Sequence, residues 1–397
     1  MKHLSTLFNR TSRILFSTKA AGLYILLFAA AIGTATFIEN DFGTSAAHKV
    51  IYQAWWFELL LVLFSISILV NIFRYRMVPK RKWSLLLFHA AMIVILIGAG
   101  ITRYFGYEGI MHIRENDRSN TFLSSETYLN FDVKKDDKTY RFDEEVLFAS
   151  LGNNSWNKQY LVGDELIDIE VNEFIPNPER TIETDPRGVP ILQVVVAGMN
   201  GRENYFLKQG DRRRIRNLNY NFTNTYIPGA INIAYRNDSL LLRANRPLTT
   251  MVMATQQRDT LLPADAYQPL KFRALYSDGS NNFVFNNFRK KGKVTVLSTD
   301  PKVKNESLCA LDMSDTISDQ QHDILIYGKK GLKGRPTTVK QGNLALDVSY
   351  GAKKVELPFT VGLYDFIMER YPGTNSAASF ASEVHLSDPR NNYSTDY

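Results

Sequence analysis

The sequence predicts a membrane protein in which three N-terminal transmembrane α-helices precede a large, mainly antiparallel β domain. Three observations support this fold class. Long apolar runs fill the first hundred residues, a period-two alternation of apolar and polar residues dominates the remainder, and the excess positive charge is confined to the apolar part. Residues 1–103 contain 11 Lys+Arg and 3 Asp+Glu, whereas residues 104–397 contain 36 and 37, which leaves the second part almost neutral.

A transmembrane helix needs roughly 20 predominantly apolar residues to cross about 30 Å of hydrocarbon. Three runs meet that length: 20–38, 51–73 and 84–102. Glu58 is the only Asp, Glu, Lys or Arg within them, and no comparable run follows. We therefore expect three parts: a cytoplasmic N-terminus at 1–19, a three-helix membrane region at 20–103 and an extracytoplasmic β-rich domain at 104–397.

The charges of the loops predict the orientation of the helices. Basic residues without any acid precede the first run and fill the loop between the second and the third, at residues 74–82. Cytoplasmic loops carry an excess of Lys and Arg, so residues 104–397 are expected on the opposite side of the membrane. A cleavable signal peptide ending near residue 35 is the rival interpretation. It is less favoured because the apolar run continues and two more spans follow.

The β prediction rests on short alternating segments separated by turn residues. The alternation typical of half-buried strands occurs at 128–133, 167–171, 191–196, 231–235, 293–297 and 344–348. Turn residues occur at 199–201, 208–211 and 277–279. Long helical periodicity is scarce in this part, so we expect an antiparallel sandwich or barrel, in one or two lobes.

Several function classes lack their sequence signatures. Cys309 is the only cysteine, which excludes an intrachain disulfide, a thiolate metal cluster and a CxxC redox pair. The phosphate-binding motifs GxGxxG and GxxxxGKS/T do not occur, and no histidine of residues 104–397 has a metal-ligand spacing such as HExxH. The near-neutral second part also lacks the basic stripe of a nucleic-acid-binding domain, so we expect no nucleic acid partner.

Two stretches of the chain resemble a known family. The first leads from VIYQAWWF at 50–57 through LLFHAA at 86–91 to TRYFGYEGIM at 102–111. The second contains YDFIMERYPG at 364–373, followed by FASEV at 380–384. The conjunction of these motifs, in this order, resembles the ResB family, also called CcsB, of system II cytochrome c biogenesis.

The resemblance implies a function and a set of partners. Family members work with a CcsA-type membrane protein, whose tryptophan-rich motif handles haem, and together they move haem across the membrane and keep it reduced. They attach it to the CxxCH cysteines of exported apocytochromes c. By this resemblance the chain is a subunit of a holocytochrome c synthase complex in the bacterial inner membrane. Its contacts would be haem b, a CcsA-type partner, an apocytochrome c and membrane lipid.

The chain departs from the fuller family pattern in two respects. Its four tryptophans do not form a tryptophan-rich haem motif, and no fourth apolar span follows the β-rich part. We therefore expect either a short family form or a piece of a longer protein. In both cases we expect no enzymatic activity from this chain alone.

His89 is the candidate axial ligand to haem iron. It is the only histidine within the three apolar runs, about 9 Å inside the third one at 1.5 Å per residue, and the family's transmembrane histidine matches it. An ionisable group at this depth is costly and by default marks a functional site. Hydrocarbon surroundings also favour the neutral imidazole, which is the form that binds iron. The alternative is a packing histidine; if His89 binds iron, the second axial ligand must come from a partner.

Three further residues stay open from the sequence. Glu58 is either an interfacial acid, which is favoured, or a contact to a partner. His48 and His112 flank the membrane on the outer side and could together bind a ligand, although surface histidines are the commoner case.

A different function class also fits, namely a non-catalytic envelope protein that uses a membrane-anchored β domain to bind protein or polysaccharide.

Overall fold

The computed structural model describes residues 14–198, 201–263, 265–303, 308–317 and 320–397. The turn predicted at 199–201 therefore falls partly outside the described residues, as does most of the predicted N-terminal segment at 1–19. The chain divides into two compact units: Met1–Pro178 with Ser298–Tyr397, and Glu179–Leu297.

The helices of the described chain lie in the first unit. They are α1 (Thr18–Phe42), α2 (Thr44–Ala47), a π-helical turn (His48–Tyr52), α3 (Trp55–Arg74) and α4 (Trp83–Phe105). The most apolar stretches of α1, α3 and α4 have mean hydropathies of 2.0, 2.2 and 2.4, and these helices are long and apolar enough to cross a membrane. The three predicted membrane helices are therefore confirmed.

The second membrane helix begins later than the apolar run indicates, at Trp55 instead of residue 51. Residues before it form α2 and the π-helical turn, and the amide of Gln53 donates to the carbonyl oxygen of His48 over 2.7 Å. Ala54 then has an extended backbone, with φ −74° and ψ 136°, which separates this segment from α3. Hydropathy averaged over a window does not reveal this boundary, because apolar stretches flank Gln53 and Ala54 on both sides.

Aromatic and aliphatic side chains join the three membrane helices. Phe28 of α1 and Phe57 of α3 stack with their ring centroids 5.8 Å apart. A second cluster combines Leu60 and Phe64 of α3 with Met92 of α4. None of the residues of α4 is buried, so this chain leaves most of the surface of α4 uncovered.

Strands make up most of the chain that follows. The first unit begins with β1 (Gly109–Ile110), β2 (Asp117–Lys135), β3 (Lys138–Val146), β4 (Trp156–Val162) and β5 (Glu165–Pro176). The chain continues with β6 (Pro178–Gly198), β7 (Gly201–Lys208), β8 (Arg212–Ile215), β9 (Leu218–Asn221), β10 (Ile231–Arg236), β11 (Ser239–Arg243), β12 (Leu248–Val252), β13 (Arg258–Leu261), β14 (Gln268–Pro269), β15 (Ala274–Ser277) and β16 (Asn282–Ser298). The first unit resumes with β17 (Cys309–Ile317), β18 (Gln320–Gly328), β19 (Thr337–Gln341), β20 (Leu344–Arg370), β21 (Ala377–Asp388) and β22 (Tyr393–Asp396). The six predicted strands all lie within these elements, which confirms the β-rich domain.

Two antiparallel sheets of the first unit share one core. A seven-stranded sheet contains β1, β2, β3, β19, β20, β21 and β22, and a four-stranded sheet contains β4, β5, β17 and β18. Phe131 and Leu346 of the first sheet and Ile167 and Leu311 of the second are almost completely buried in a single hydrophobic cluster. This part of the chain is therefore a β-sandwich, one of the two predicted architectures.

The second unit has a core of its own. β8, β9, β10, β11 and β14 form a five-stranded sheet, and β6, β7, β12, β13, β15 and β16 form a six-stranded sheet. Phe222 and Phe285 are fully buried in its hydrophobic cluster. β9 and β10 pair in parallel, with Tyr220 opposite Ile231, because residues 222–230 carry the chain back to the same end of the sheet. This pair is an exception to the antiparallel pattern that the sequence predicts.

The family-like stretch near the C-terminus forms a long hairpin. β20 ends at Arg370 and β21 begins at Ala377, with the YPG residues 371–373 in the turn. Gly373 has φ +75°, a left-handed conformation that glycine adopts without steric cost. The strand pair expected around this turn is therefore confirmed.

Candidate functional site in the membrane helices

A cavity of about 460 Å³ lies among α1, α3, α4 and the loop between α3 and α4. Small-molecule sites typically have volumes of roughly 300–1,000 Å³. The polar and sulfur-containing side chains in its lining include Thr18, Asn71, Tyr75, Lys82, His89 and Met92. The structure thus brings the predicted ligand His89 to the wall of a cavity, together with groups from both other membrane helices.

The hydrogen bonding of His89 fixes its tautomer. Its Nδ1 lies 2.9 Å from the carbonyl oxygen of Leu85, one turn earlier in α4. A carbonyl oxygen only accepts, so in the neutral ring Nδ1 carries the hydrogen and Nε2 keeps its lone pair. Metal-binding histidines commonly have this arrangement, in which a backbone carbonyl orients the ring. The imidazole can therefore bind a metal centre, or accept a hydrogen bond, through Nε2.

Asn71 of α3 is the second notable polar group of the cavity. The residue is 4% exposed, and its Oδ1 is buried without a hydrogen-bond partner among the described residues. The hydroxyl of Ser67, one turn earlier, is also buried without a hydrogen-bond partner among the described residues. Ser67 does not line the cavity. Buried polar groups are normally hydrogen-bonded. The unpaired amide of Asn71 is therefore a candidate contact for a ligand.

The polar part of the lining is concentrated at the end of the cavity nearest the 75–82 loop. The hydroxyl oxygens of Thr18 and Tyr75 share a hydrogen bond of 2.7 Å, and Lys82 adds an ammonium group. Phe64 and Ile68, farther along α3, contribute apolar walls. The cavity thus offers an apolar interior and a polar, positively charged end.

Glu58 forms an ion pair within the chain. Its carboxylate contacts the guanidinium of Arg103 near the end of α4, and the same guanidinium donates to the carbonyl oxygen of Tyr52. A carboxylate within a membrane helix is less costly when a cation is hydrogen-bonded to it. The interaction favours the interpretation of Glu58 as an interfacial acid over a contact to a partner.

His48 and His112 have separate surroundings. His48 packs edge-on against Tyr52, with ring centroids 5.4 Å apart, whereas His112 is exposed. Desolvation lowers the pKa of His48 below its usual value, which favours the neutral ring. His48 lines a more polar cavity of about 390 Å³ together with Glu108 and Glu145, and His112 is not part of that lining. The described residues also contain no cluster of three metal-binding side chains.

Two polar residues, Asn71 and Lys49, have contacts or surroundings in the structure that the sequence patterns do not predict. Asn71 is not ionisable, so the cost of a charge in an apolar run does not identify it; an uncharged amide within such a run is the signal that does. Lys49 donates hydrogen bonds to the carbonyl oxygen of Leu147 and to Asn154 Oδ1, over 2.7 and 2.6 Å. Burial lowers the pKa of Lys49 to about 8. No local pattern in the sequence indicates which strand or loop this lysine contacts.

Comparison with known proteins gives two matches. The ResB-like family matches residues 79–173, which contain α4, β1 to β4 and most of β5. Protein NrfI of Wolinella succinogenes is 44% identical over 117 residues, which make up 30% of this chain and 13% of NrfI. The match therefore spans only a small part of that relative's length.

The family match includes His89 and the stretch at 102–111 that leaves the membrane. These are parts of the chain on which the resemblance was based. The resemblance inferred from the sequence is therefore confirmed: the chain is similar to protein NrfI and carries a ResB-like region at residues 79–173.

Proposed function

We propose that this chain is a membrane subunit of a cytochrome c maturation complex, in which it binds haem b as cargo at His89 beside a CcsA-type partner. The ResB-like region supports this role. In the proposed arrangement the basic 74–82 loop is cytoplasmic and the β-rich domain is exported. Haem then passes to the CxxCH cysteines of an exported apocytochrome c. The concentration of Lys and Arg in the loop supports the orientation.

The contact between His89 Nδ1 and the carbonyl oxygen of Leu85 is the observation on which the site assignment rests. Because Nδ1 donates to Leu85, Nε2 keeps the lone pair that an iron ligand needs. Haem iron accepts an imidazole nitrogen as an axial ligand. The cavity of about 460 Å³ has apolar walls from Phe64, Ile68 and Met92, which suit a flat and largely apolar porphyrin. The residues present therefore fit the proposed cargo.

The proposal assigns the second axial ligand to the partner. The uncovered surface of α4 supports this division, since none of its residues is buried by this chain. Membrane helices associate through close van der Waals packing and interhelical hydrogen bonds. A partner helix packed against α4 would cover the cavity and could supply the ligand opposite His89.

Replacement of His89 by glycine or alanine tests the proposal. The purified complex of the variant with its CcsA-type partner should lose most of its haem, because the iron loses a protein ligand. Maturation of an exported cytochrome c should fall in parallel. Added imidazole should partly restore both, since it fills the vacated volume and binds iron. Absorption spectra of the complex and covalent haem on the cytochrome measure the two effects.

His48→Ala and His112→Ala are the matched controls, because they remove histidines outside the cavity. Both variants should retain more haem and more maturation than His89→Ala. A His89→Ala complex with full haem, an unchanged spectrum and full maturation would show that His89 is a packing residue and that the site assignment is wrong.

A further inference from the structure

We infer that the His89 cavity holds haem in one orientation, with its propionates toward the 75–82 loop, where the Asn71 amide donates to a propionate and Lys82 neutralises it. The inference rests on the proposed function and adds to it a recognition site for the acidic edge of the cargo. The chain itself would then determine how haem is presented to the partner.

The surroundings of Asn71 favour contact with a ligand over a structural role. A polar side chain in a membrane helix usually bonds to a neighbouring helix. Asn71 makes no side-chain hydrogen bond with any described residue, and its Oδ1 is fully enclosed. The unpaired Oδ1 is an acceptor that a carboxylate does not satisfy, so the contact with an acidic ligand in the cavity must come from Nδ2 of the same amide, which makes no hydrogen bond with a described residue either.

The polar groups lie on the loop side of His89. Along α3, Asn71 precedes Tyr75 by one turn, and Tyr75 is the first residue after that helix. Along α4, His89 follows Lys82 by seven residues, which is about 10 Å at 1.5 Å per residue. Thr18, which bonds to Tyr75, is the first residue of α1. A ligand whose metal is bound by His89 can therefore reach donors in one direction only along the cavity.

Haem has the matching polarity. Its two carboxylates extend from one edge of a ring that is otherwise apolar, and the iron lies at the centre. If the iron is bound to His89, the carboxylates face either the loop end or the deeper walls formed by Phe64 and Met92. Carboxylates gain strong hydrogen bonds from an ammonium and an amide at the loop end. Against the apolar walls they would be desolvated without compensation.

The hydroxyl pair adds a further donor. The oxygens of Thr18 and Tyr75 are 2.7 Å apart, and either can be the donor. Whichever hydroxyl donates, the hydrogen of the other stays available to a third group. The loop end thus combines an amide, a hydroxyl and an ammonium, a donor set that suits two adjacent carboxylates.

Binding of haem b and of its dimethyl ester tests the inference, because the ester keeps the iron and the ring but has no carboxylates. The complex of the full chain with its CcsA-type partner is titrated with each, and the dissociation constants are obtained from absorption spectra. We expect Asn71→Leu and Lys82→Met each to weaken haem binding about tenfold. Both variants should bind the ester as the wild type does.

Ser67→Ala is the matched control, since Ser67 is an equally buried and unpaired polar residue of α3 outside the lining. Its affinities for haem and ester should be those of the wild type. An unchanged haem affinity in Asn71→Leu, or an equal loss for haem and ester, would overturn the inference and leave His89 as a ligand. Failure of the wild-type complex to bind haem would instead contradict the proposed function.

Discussion

The ammonium group of Lys49 lies 2.7 Å from the carbonyl oxygen of Leu147, although the two residues are 98 positions apart in the chain. Lys49 belongs to the π-helical turn before α3, and Leu147 directly follows β3. The same nitrogen lies 2.6 Å from Asn154 Oδ1 and 5.9 Å from the ring centroid of Phe148. One side chain thus connects the segment between the first two membrane helices to the β-sandwich.

We expect Lys49→Met to destabilise the first unit by about 2 kcal/mol, because it leaves two acceptors without their charged donor. Thermal unfolding of the purified chain in detergent measures the change. Lys302→Met is the control: Lys302 also bonds to a residue of the membrane helices, Asp41 at 3.0 Å, but both side chains are exposed to solvent, so the loss should be smaller. Equal losses in the two variants would contradict the structural importance of Lys49.

The lowered pKa of Lys49 predicts that the stability of the first unit depends on pH. Burial lowers its pKa from 10.5 to about 8. Between these two values the unfolded chain binds a proton that the folded chain lacks, so this group increases stability as the pH rises. The difference in unfolding temperature between the wild type and Lys49→Met should therefore widen from about pH 7.5 to about pH 9.5. A constant difference would show that the folded structure does not lower this pKa.

A buried carboxyl in the β-sandwich gives the opposite pH dependence. His322 Nδ1 lies 2.9 Å from Asp315 Oδ1, and Asp315 Oδ2 is buried without a partner among the described residues. Desolvation raises the pKa of Asp315 above 3.8. The folded chain thus holds a proton at pH values where the unfolded chain has lost it. The stabilising contribution of the protonated Asp315 carboxyl is present at acid pH and is lost as the pH rises through the pKa of Asp315 in the folded chain.

Asp315→Asn should therefore increase the free energy of unfolding at neutral pH, by about 1 kcal/mol, since it removes a buried charge and keeps the side-chain volume. The gain should shrink as the pH falls through the raised pKa of Asp315 in the folded chain. Asp312→Asn, a half-buried position on the same strand, should change little. Destabilisation by Asp315→Asn at neutral pH would mean that the charge of this carboxylate is needed for its interaction with His322.

Alternation in the sequence is sufficient to identify strands but not their partners. Phe131 and Val348 both lie in predicted strands, and they are direct neighbours in the ladder between β2 and β20. Alternation determines which side chains share a face, whereas register depends on the shape of the assembled core. For the same reason the pattern of single strands allowed two lobes but did not give their boundaries, with the second unit at Glu179–Leu297 inserted into the first.

The candidate site was predictable only in part. His89 was found because a histidine in an apolar run is rare and costly. Asn71 carries no charge, and its unpaired state exists only after α1, α3 and α4 have packed together. Arg103 lies just beyond the third predicted span, and the sequence did not indicate that it pairs with Glu58. Residue type thus located the ligand candidate, whereas the partners of each polar group required the fold.

The proposed orientation predicts the behaviour of reporter fusions. A reporter that is active only outside the cytoplasm should work when fused after residue 120 and fail when fused at residue 78, because the basic 74–82 loop is retained in the cytoplasm. A reporter that is active only in the cytoplasm is the control and should give the reverse result at both positions. Activity of the first reporter at residue 78 alone would overturn the orientation.

The proposed division of labour predicts that haem attachment depends on a second protein. Expressed alone in a host without its own maturation system, this chain should produce no covalent cytochrome c; co-expressed with a CcsA-type partner, it should. The reason is structural: the cavity offers one candidate imidazole ligand, and the surface of α4 is left uncovered by this chain. Co-expression of the partner with the His89→Ala variant of this chain is the control, because it tests whether attachment requires haem binding in addition to assembly of the complex. Covalent haem on an exported CxxCH protein in the presence of this chain alone would refute the division, because the chain would then supply every group that the attachment requires.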